Sequence, residues 1–205
     1  MSGSSRTLVV AGPSGVGKTT LIARVLAANP RWMFSVSATT RQPRRGEVEG
    51  QAYYFISREE FLKRASNRGF LEYADVYGEL YGTPRSELDR AEKEGRHLLI
   101  EIDTVGCLSI RALRPDIPLL AVLPPSLTEL KRRLRERGTE SEQSLALRYS
   151  QIVAELQRMR SFDYAIVNDR LELAEAKLAS LMQVIEDGLT AVISQVDLLL
   201  SEPGG

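Results

Sequence analysis

Short apolar runs alternate along the chain with stretches in which apolar residues recur every three or four positions. The first run, Leu8-Val9-Val10-Ala11, stops at Gly12. An unbroken apolar run of that length predicts a strand buried on both faces, as in parallel sheets. Past a glycine-rich turn, Leu21, Ile22, Val25 and Leu26 fall at helical spacing, and Pro30 closes the helix. Strand, turn and helix in that order begin a βαβ unit. Leu98 to Asp103 and Leu119 to Leu123 predict further buried strands, and Tyr164 to Val167 a last strand before Asn168. Ser126 with Glu129, and Thr139 with Glu142, have the capping-box spacing, so each pair predicts a helix start. From Leu171 onward, Leu178, Leu181, Ile185, Leu189, Val192, Val196 and Leu199 mark an amphipathic helix. Its first half is expected to pack on the core, and its later part could pair with a second subunit.

The middle of the chain has a different pattern. Between Ser35 and Tyr81, short strand-like pieces rich in Thr, Tyr and Val are broken by Pro43, Gly46 and Gly50. Ser57 and Glu60 form a capping box for a helix ending near Gly69. Thr83-Pro84 has the form of an N-cap followed by a first-turn proline, predicting a helix that Gly95 ends. The expected fold is α/β, with a mainly parallel sheet flanked by helices. Its core covers about 5–34, 84–125 and 161–190, interrupted by an inserted lobe at about 35–83 and a basic helical pair at about 126–160.

Composition narrows the class without naming an activity. In 205 residues, 27 Lys and Arg balance 27 Asp and Glu, and 43% of residues are hydrophobic. That excludes collagen-like, disordered and disulfide-scaffold chains, and argues against a protein that grips nucleic acid mainly by charge. The single cysteine, Cys107, has no internal disulfide partner, so a reducing compartment is expected. Met1 to Ser5 is small and polar, and Leu189 to Leu200, with Gln195 and Asp197, falls short of a bilayer span. A cytoplasmic location with no membrane partner is the expectation. His97, Trp32, Met33 and Cys107 are read as structural.

The chemistry starts at the glycine turn. Gly12-Pro13-Ser14-Gly15-Val16-Gly17-Lys18-Thr19 satisfies G-x-x-x-x-G-K-[ST]. Its glycines let successive N–H groups turn toward phosphate oxygens, and the following helix adds its positive end. Lys18 is expected on the β- and γ-phosphates and Thr19 on Mg²⁺, with Thr20 following in the helix. This predicts a nucleoside triphosphate site. In the inserted lobe, Arg41, Arg44 and Arg45 flank Pro43, and arginine forks suit a small phosphate anion. A solvated basic loop balanced by Glu47 and Glu49 is the competing reading. Glu101 and Asp103, two apart at a strand's C-terminal end, are expected to leave the same face. An acidic strand end facing solvent is the alternative.

Taken together, GPSGVGKTTL, FSVSATTRQPRRGEVEGQAYYFIS, FLEYADVYGELYGTP, LLIEIDTVG, PPS, RLRERGTES and FDYAIVND follow the order of motifs in guanylate kinases. Over roughly residues 5–187 the chain resembles that family of P-loop nucleoside monophosphate kinases. The resemblance implies phosphoryl transfer from MgATP to GMP or dGMP, with ATP as donor and Mg²⁺ as cofactor. It implies a GMP-phosphate site at Arg41, Arg44, Tyr53 and Tyr81, with Glu47 as an orienting acid and Gly82 in the same turn. Guanine would be read by Ser37, Glu72, Thr83 and Asp103; Asp103 could also serve the Mg²⁺ shell. The basic pair at 126–160 becomes a mobile lid, with Arg133, Arg137 and Arg148 facing the phosphates and Asn168 near the adenine. Glu79, Val105, Cys107 and Glu101 depart from the family's usual residues, and Glu79 would bring a negative charge toward the GMP site. Two rivals keep parts of this pattern. A non-catalytic phosphopeptide-binding module of the same fold characteristically loses the phosphate loop. A kinase for a sugar phosphate would lose the Glu72 and Tyr81-Gly82-Thr83 segments.

Overall fold

The structure, a computed structural model, describes residues 5–76, 78–136 and 142–188, with residues 142–148 and 150 described by their backbone alone. In chain order the first half contains β1 (Thr7–Ala11), α1 (Lys18–Ala28), β2 (Trp32–Phe34), β3 (Ala38–Thr39), β4 (Tyr54–Phe55), α2 (Arg58–Ser66), β5 (Phe70–Val76) and β6 (Glu79–Pro84). It continues with α3 (Ser86–Lys93), β7 (His97–Glu101), α4 (Thr104–Leu113), β8 (Leu119–Leu123), α5 (Leu127–Glu136), α6 (Glu142–Met159), β9 (Tyr164–Val167) and α7 (Leu171–Glu186).

The continuous apolar runs become the central sheet because both of its faces are covered. Its five strands lie in the order β2-β7-β1-β8-β9, and every pairing is parallel. Alternate residues of β1 feed two cores. Leu8 and Val10 pack with Leu21 and Val25 of α1 and Leu178 and Met182 of α7. Val9 and Ala11 pack with Ala91 of α3, Cys107 and Ile110 of α4, and Met159 of α6. Trp32 is fully buried and donates its indole N–H to Glu186 at 2.6 Å, tying β2 to the end of α7. The expected packing of that helix on the core is therefore observed as far as Glu186, while residues 189–205 lie outside the described residues. The Thr139–Glu142 capping box also spans residues outside them.

A second sheet, β4-β3-β6-β5, is mixed and forms its own small core. Phe61 of α2 stacks on Phe70 of β5 with centroids 4.3 Å apart, against Ala38 and Leu80. Ser57 caps α2 by accepting from the Glu60 N–H at 3.1 Å, as its spacing predicts.

The two sheets are joined by a buried carboxylate. Glu87 on α3 is 1% exposed. It accepts from the Val36 N–H at 2.7 Å, from the Tyr54 hydroxyl at 3.0 Å and from Arg90 at 2.6 Å. Arg90 in turn donates to the Phe34 carbonyl at 3.0 Å. Residues 34–36 are where the chain leaves the first sheet for the second, so this network fixes their relative placement.

One predicted element is misplaced. Thr83-Pro84 does not start a helix: both residues end β6, and α3 begins at Ser86 behind Arg85. The Thr83 hydroxyl and N–H both go to Glu72 on the neighbouring strand, which outcompetes the local capping role. Pro84 is tolerated because the strand's last position needs no N–H.

Glu87→Ala strands a buried N–H, a hydroxyl and a guanidinium at once. It is expected to lower unfolding free energy by about 3 kcal/mol, read as a fall in the urea midpoint at unchanged slope.

Candidate active site

The loop after β1 sits at the C-terminal edge of the first sheet, beside the end of β7, because Val10 pairs with Glu101. Ligands of open α/β sheets bind at this edge. Gly15 and Gly17 have φ of +85° and +90°, conformations that L side chains disfavour. Space excludes a side chain there too. A Cβ on Gly17 would lie 2.7 Å from the Asn168 side-chain nitrogen, and one on Gly15 2.9 Å from Leu134 of α5. Pro13 and Val16 are buried, and the Val16 N–H returns to the Pro13 carbonyl at 3.3 Å. α1 has no acidic residue in its first turn and no side-chain cap, so its N-terminal donors face the loop without a competing anion. Lys18 donates to the Gly12 carbonyl and, at 3.3 Å, to that of Pro13, and lies 4.0 Å from Glu101. At that separation the gross attraction is on the order of 4 kcal/mol near a protein surface. A polyphosphate carries several charges and would win that contest. Thr19 and Thr20 are exposed at the mouth of the loop.

Two adjoining cavities open from this edge. One, of about 560 Å³, is lined by Gly12, Ser14, Lys18 and Thr19 on the loop side. The other, of about 230 Å³, is lined by Glu72, Tyr81 and Gly82 of the second sheet. Ser37, Tyr53, Glu101 and Asp103 belong to both walls, so the cavities form one continuous cleft between the sheets.

Within the smaller cavity Glu72 is held by its neighbours. Its Oε1 accepts from the Thr83 hydroxyl at 2.7 Å and the Thr83 N–H at 3.1 Å. Its Oε2 lies 3.0 Å from where a Cβ on Gly106 would stand, so α4 can carry only glycine at this point without displacing the carboxylate. Burial pushes the Glu72 carboxyl above its ordinary value and Asp103 adds to the rise, while the Thr83 hydroxyl opposes it. Asp103 reaches the cleft by a different route from the one its spacing suggests. β7 ends at Glu101, and Asp103 is the N-cap of α4, accepting from the Gly106 N–H at 2.7 Å. Burial also raises Glu101, against the pull of Lys18.

The arginine loop behaves unevenly. Arg41 is fixed, donating to both oxygens of Glu47 at 2.9 Å and to the Tyr81 hydroxyl at 3.2 Å, with its guanidinium 5.3 Å from the Tyr53 ring centre. The Arg41 fork and the Arg44 N–H hold the Glu47 carboxyl down at about 2. Arg44 and Arg45 are exposed and line neither cavity. Glu79 also stays out of the cleft lining, and accepts from the Thr40 hydroxyl at 2.5 Å.

Around the loop, Asn168 is 6% exposed and donates its amide to the Val16 carbonyl at 2.8 Å. Arg133 on α5 donates to Glu129 at 2.7 Å and to the Asn168 carbonyl at 3.1 Å. Arg137 and the Arg148 side chain lie outside the described residues. Phe34 and Ser35 fall inside the FSVSATTRQPRRG segment without an assigned role, and Glu155 of α6 lies in no motif; all three line the cleft. Ser35 is legible only as one more residue of a strand-like stretch, and Glu155 only as one of many acids on a helix. Burial pushes the Glu155 carboxyl up.

Comparison with known proteins converges on one family. A model of the guanylate kinase family matches residues 4–185. The chain belongs to the guanylate kinase family. It is 46% identical over 169 residues to the guanylate kinase of Synechococcus elongatus, spanning 82% of this chain and 92% of the relative. It is 42% identical over 175 residues to that of Clostridium tetani, spanning 85% and 84%. Among solved structures, guanylate kinase from Anaplasma phagocytophilum aligns with a TM-score of 0.67 at 31% identity, covering 88% of this chain and 85% of that one. The protein is thus a nucleoside monophosphate kinase of the guanylate kinase type, transferring phosphate from ATP to GMP, and the α/β fold with a mainly parallel sheet is that of the P-loop NTPases. Among the described residues, no helix is long and apolar enough to cross a membrane.

The Arg41–Glu47 pair carries a pH signature. Because the folded Glu47 carboxyl titrates near 2 rather than 4.5, its stabilisation is present above the ordinary value and lost as pH falls between them. The melting temperature of wild type should exceed that of Glu47→Gln at pH about 6, and the gap should close by pH about 2. A gap independent of pH would show that the pair's ionisation contributes nothing.

Proposed function

We propose that the larger cavity receives the triphosphate of MgATP and the smaller one GMP, with transfer occurring where the two meet. The observation that carries this is the continuity of the cleft from Lys18 and Thr19 to Glu72 and Tyr81. In this reading the glycine loop and the α1 N-terminus bind the β-phosphate, and Lys18 leaves its carbonyl partners for the β- and γ-phosphates. Asn168 supports nucleotide binding by holding the loop through Val16. Arg41, already aligned by Glu47 and Tyr81, receives the GMP phosphate together with Tyr53 and Arg44. A GMP phosphate oxygen is a competent nucleophile, so alignment and charge neutralisation carry the reaction.

A divalent metal is part of this chemistry, and the donor set fits it. Among the described residues no three His, Cys, Asp or Glu side chains come close enough to chelate a cation by themselves. What the cleft does offer is a hydroxyl at Thr19 and carboxylates at Glu101, Asp103 and, on α6, Glu155. That sparse oxygen set suits Mg²⁺, which keeps several waters and takes its remaining ligands from phosphates. Thr19 and Asp103 would hold it, and it would supply neutralisation of the phosphate charge. The α5–α6 pair acts as the lid that brings Arg133, Arg137 and Arg148 over the phosphates. The middle segment at about 35–83 acts as the GMP lobe, and the enzyme works in the cytoplasm.

Guanine recognition rests on Glu72. Its Oε1 is taken by Thr83, so Oε2 faces the base, where guanine presents N1–H and N2–H₂ donors that adenine lacks. In Glu72→Gln, Thr83 would retain the amide oxygen and turn the NH₂ toward the base, setting donor against donor. ADP formation from ATP with GMP, dGMP, AMP, UMP and ribose phosphates tests the assignment. Wild type should use GMP and dGMP, and Glu72→Gln should lower the GMP-to-AMP ratio of kcat/KM by about tenfold or more. An unchanged ratio would remove Glu72 from base reading, and preference for a ribose phosphate would overturn the acceptor assignment.

A further inference from the structure

The nucleotide cleft has an acidic wall that the phosphate loop and arginine loop do not explain. Among the described residues lining the larger cavity, Lys18 is the one cation, facing the carboxylates of Glu101, Asp103 and Glu155. Glu101 and Asp103 belong to the strand edge where such sites form. Glu155 comes from α6, more than fifty residues further along the chain. Its placement is firm, because Ile152, Leu156 and Met159 on the same helix pack into the cores beneath α5 and α4.

Among the described residues, two polar groups on this wall have no hydrogen-bond partner. The Glu155 Oε2 is shut from solvent with no hydrogen-bond partner among the described residues. The same holds for the hydroxyl of Ser35, a residue only 3% exposed, which lines the same cavity where the chain crosses between the two sheets. Buried polar groups of this kind are normally satisfied, and an orphan at a binding cleft points to a partner that arrives with the ligand. For Glu155 that partner cannot be a phosphate oxygen, since both are acceptors and both are negative. It has to be a donor, and beside three carboxylates one that brings positive charge is favoured. A triphosphate entering a wall of three carboxylates and one ammonium is favoured when such a donor comes with it, and a hydrated divalent cation is one.

We propose that Glu155 is a positioning residue for the metal–nucleotide complex, accepting hydrogen bonds from water bound to the Mg²⁺ that accompanies ATP, with the Ser35 hydroxyl as a neighbouring acceptor. This rests on reading the larger cavity as the MgATP site. The role is indirect: the side chain orients the hydrated ion and makes the cleft prefer the metal complex over the bare nucleotide. Without the metal, the same carboxylate repels the phosphates.

The test compares binding of a non-hydrolysable ATP analogue by calorimetry in excess MgCl₂ and in EDTA, for wild type and Glu155→Gln. Wild type should bind the analogue more tightly with Mg²⁺. In Glu155→Gln that gain should shrink by about tenfold or more, while affinity in EDTA is unchanged or improved. Ser35→Ala should shrink the gain in the same direction. A gain left intact in Glu155→Gln overturns the proposal alone. So does equal tightening in both buffers, which would make Glu155 a simple competitor for Lys18. No Mg²⁺ gain in wild type would overturn the MgATP reading and this proposal with it. An unfolded Glu155→Gln protein would also count against it, because that would give the carboxylate a structural role.

Discussion

The phosphate loop keeps its shape through one amide. Asn168 donates to the Val16 carbonyl, and its side chain occupies the space that any Cβ on Gly17 would need. The loop therefore cannot be understood as a local turn. Glycines permit its left-handed residues, but permission alone leaves a flexible chain with too many conformers to bind tightly. Order comes from outside: Asn168 follows β9, Leu134 of α5 presses on Gly15, and Arg133 holds the Asn168 carbonyl. Two segments distant in sequence, α5 and the end of β9, converge on the loop, and the parallel order of the first sheet is what delivers them there.

A similar logic governs the acceptor side. The Glu72 carboxylate is immobilised before any ligand arrives, by Thr83 on one side and the bare Gly106 on the other, as the proposed base-reading role requires. Arg41 is likewise aligned by Glu47 and Tyr81. Preorganisation of this sort moves the entropic cost of ordering from the binding step to the folding step. Glu87 does the same at a larger scale, since its hydrogen bond to Val36 sets where the second sheet begins relative to the first. The charge balance of the whole chain hides this arrangement, in which anchored acids face a cleft built for anions.

Much of this could be read without coordinates. Continuous apolar runs identified β1 and β8, because a strand buried on both faces has no polar alternation to confuse it. The loop motif identified one end of the cleft, because phosphate chemistry demands particular residue types at fixed spacing. The errors came at strand ends, where a side chain has more than one partner within reach. Thr83-Pro84 carries a helix-start signal, yet its donors are claimed by Glu72 eleven residues earlier. Asp103 continues an apolar-then-acidic strand pattern, yet it leaves the strand to cap α4.

The sequence by itself determined the fold class and the phosphate-loop motif, since both follow from local periodicity and short-range chemistry. Only the tertiary structure decided which carboxylates line the cleft. Ser35 and Glu155 have no spacing that distinguishes them from a strand residue and a surface acid. Their significance arises because the crossover between the sheets and the packed end of α6 set both beside Lys18, a juxtaposition that exists only in three dimensions.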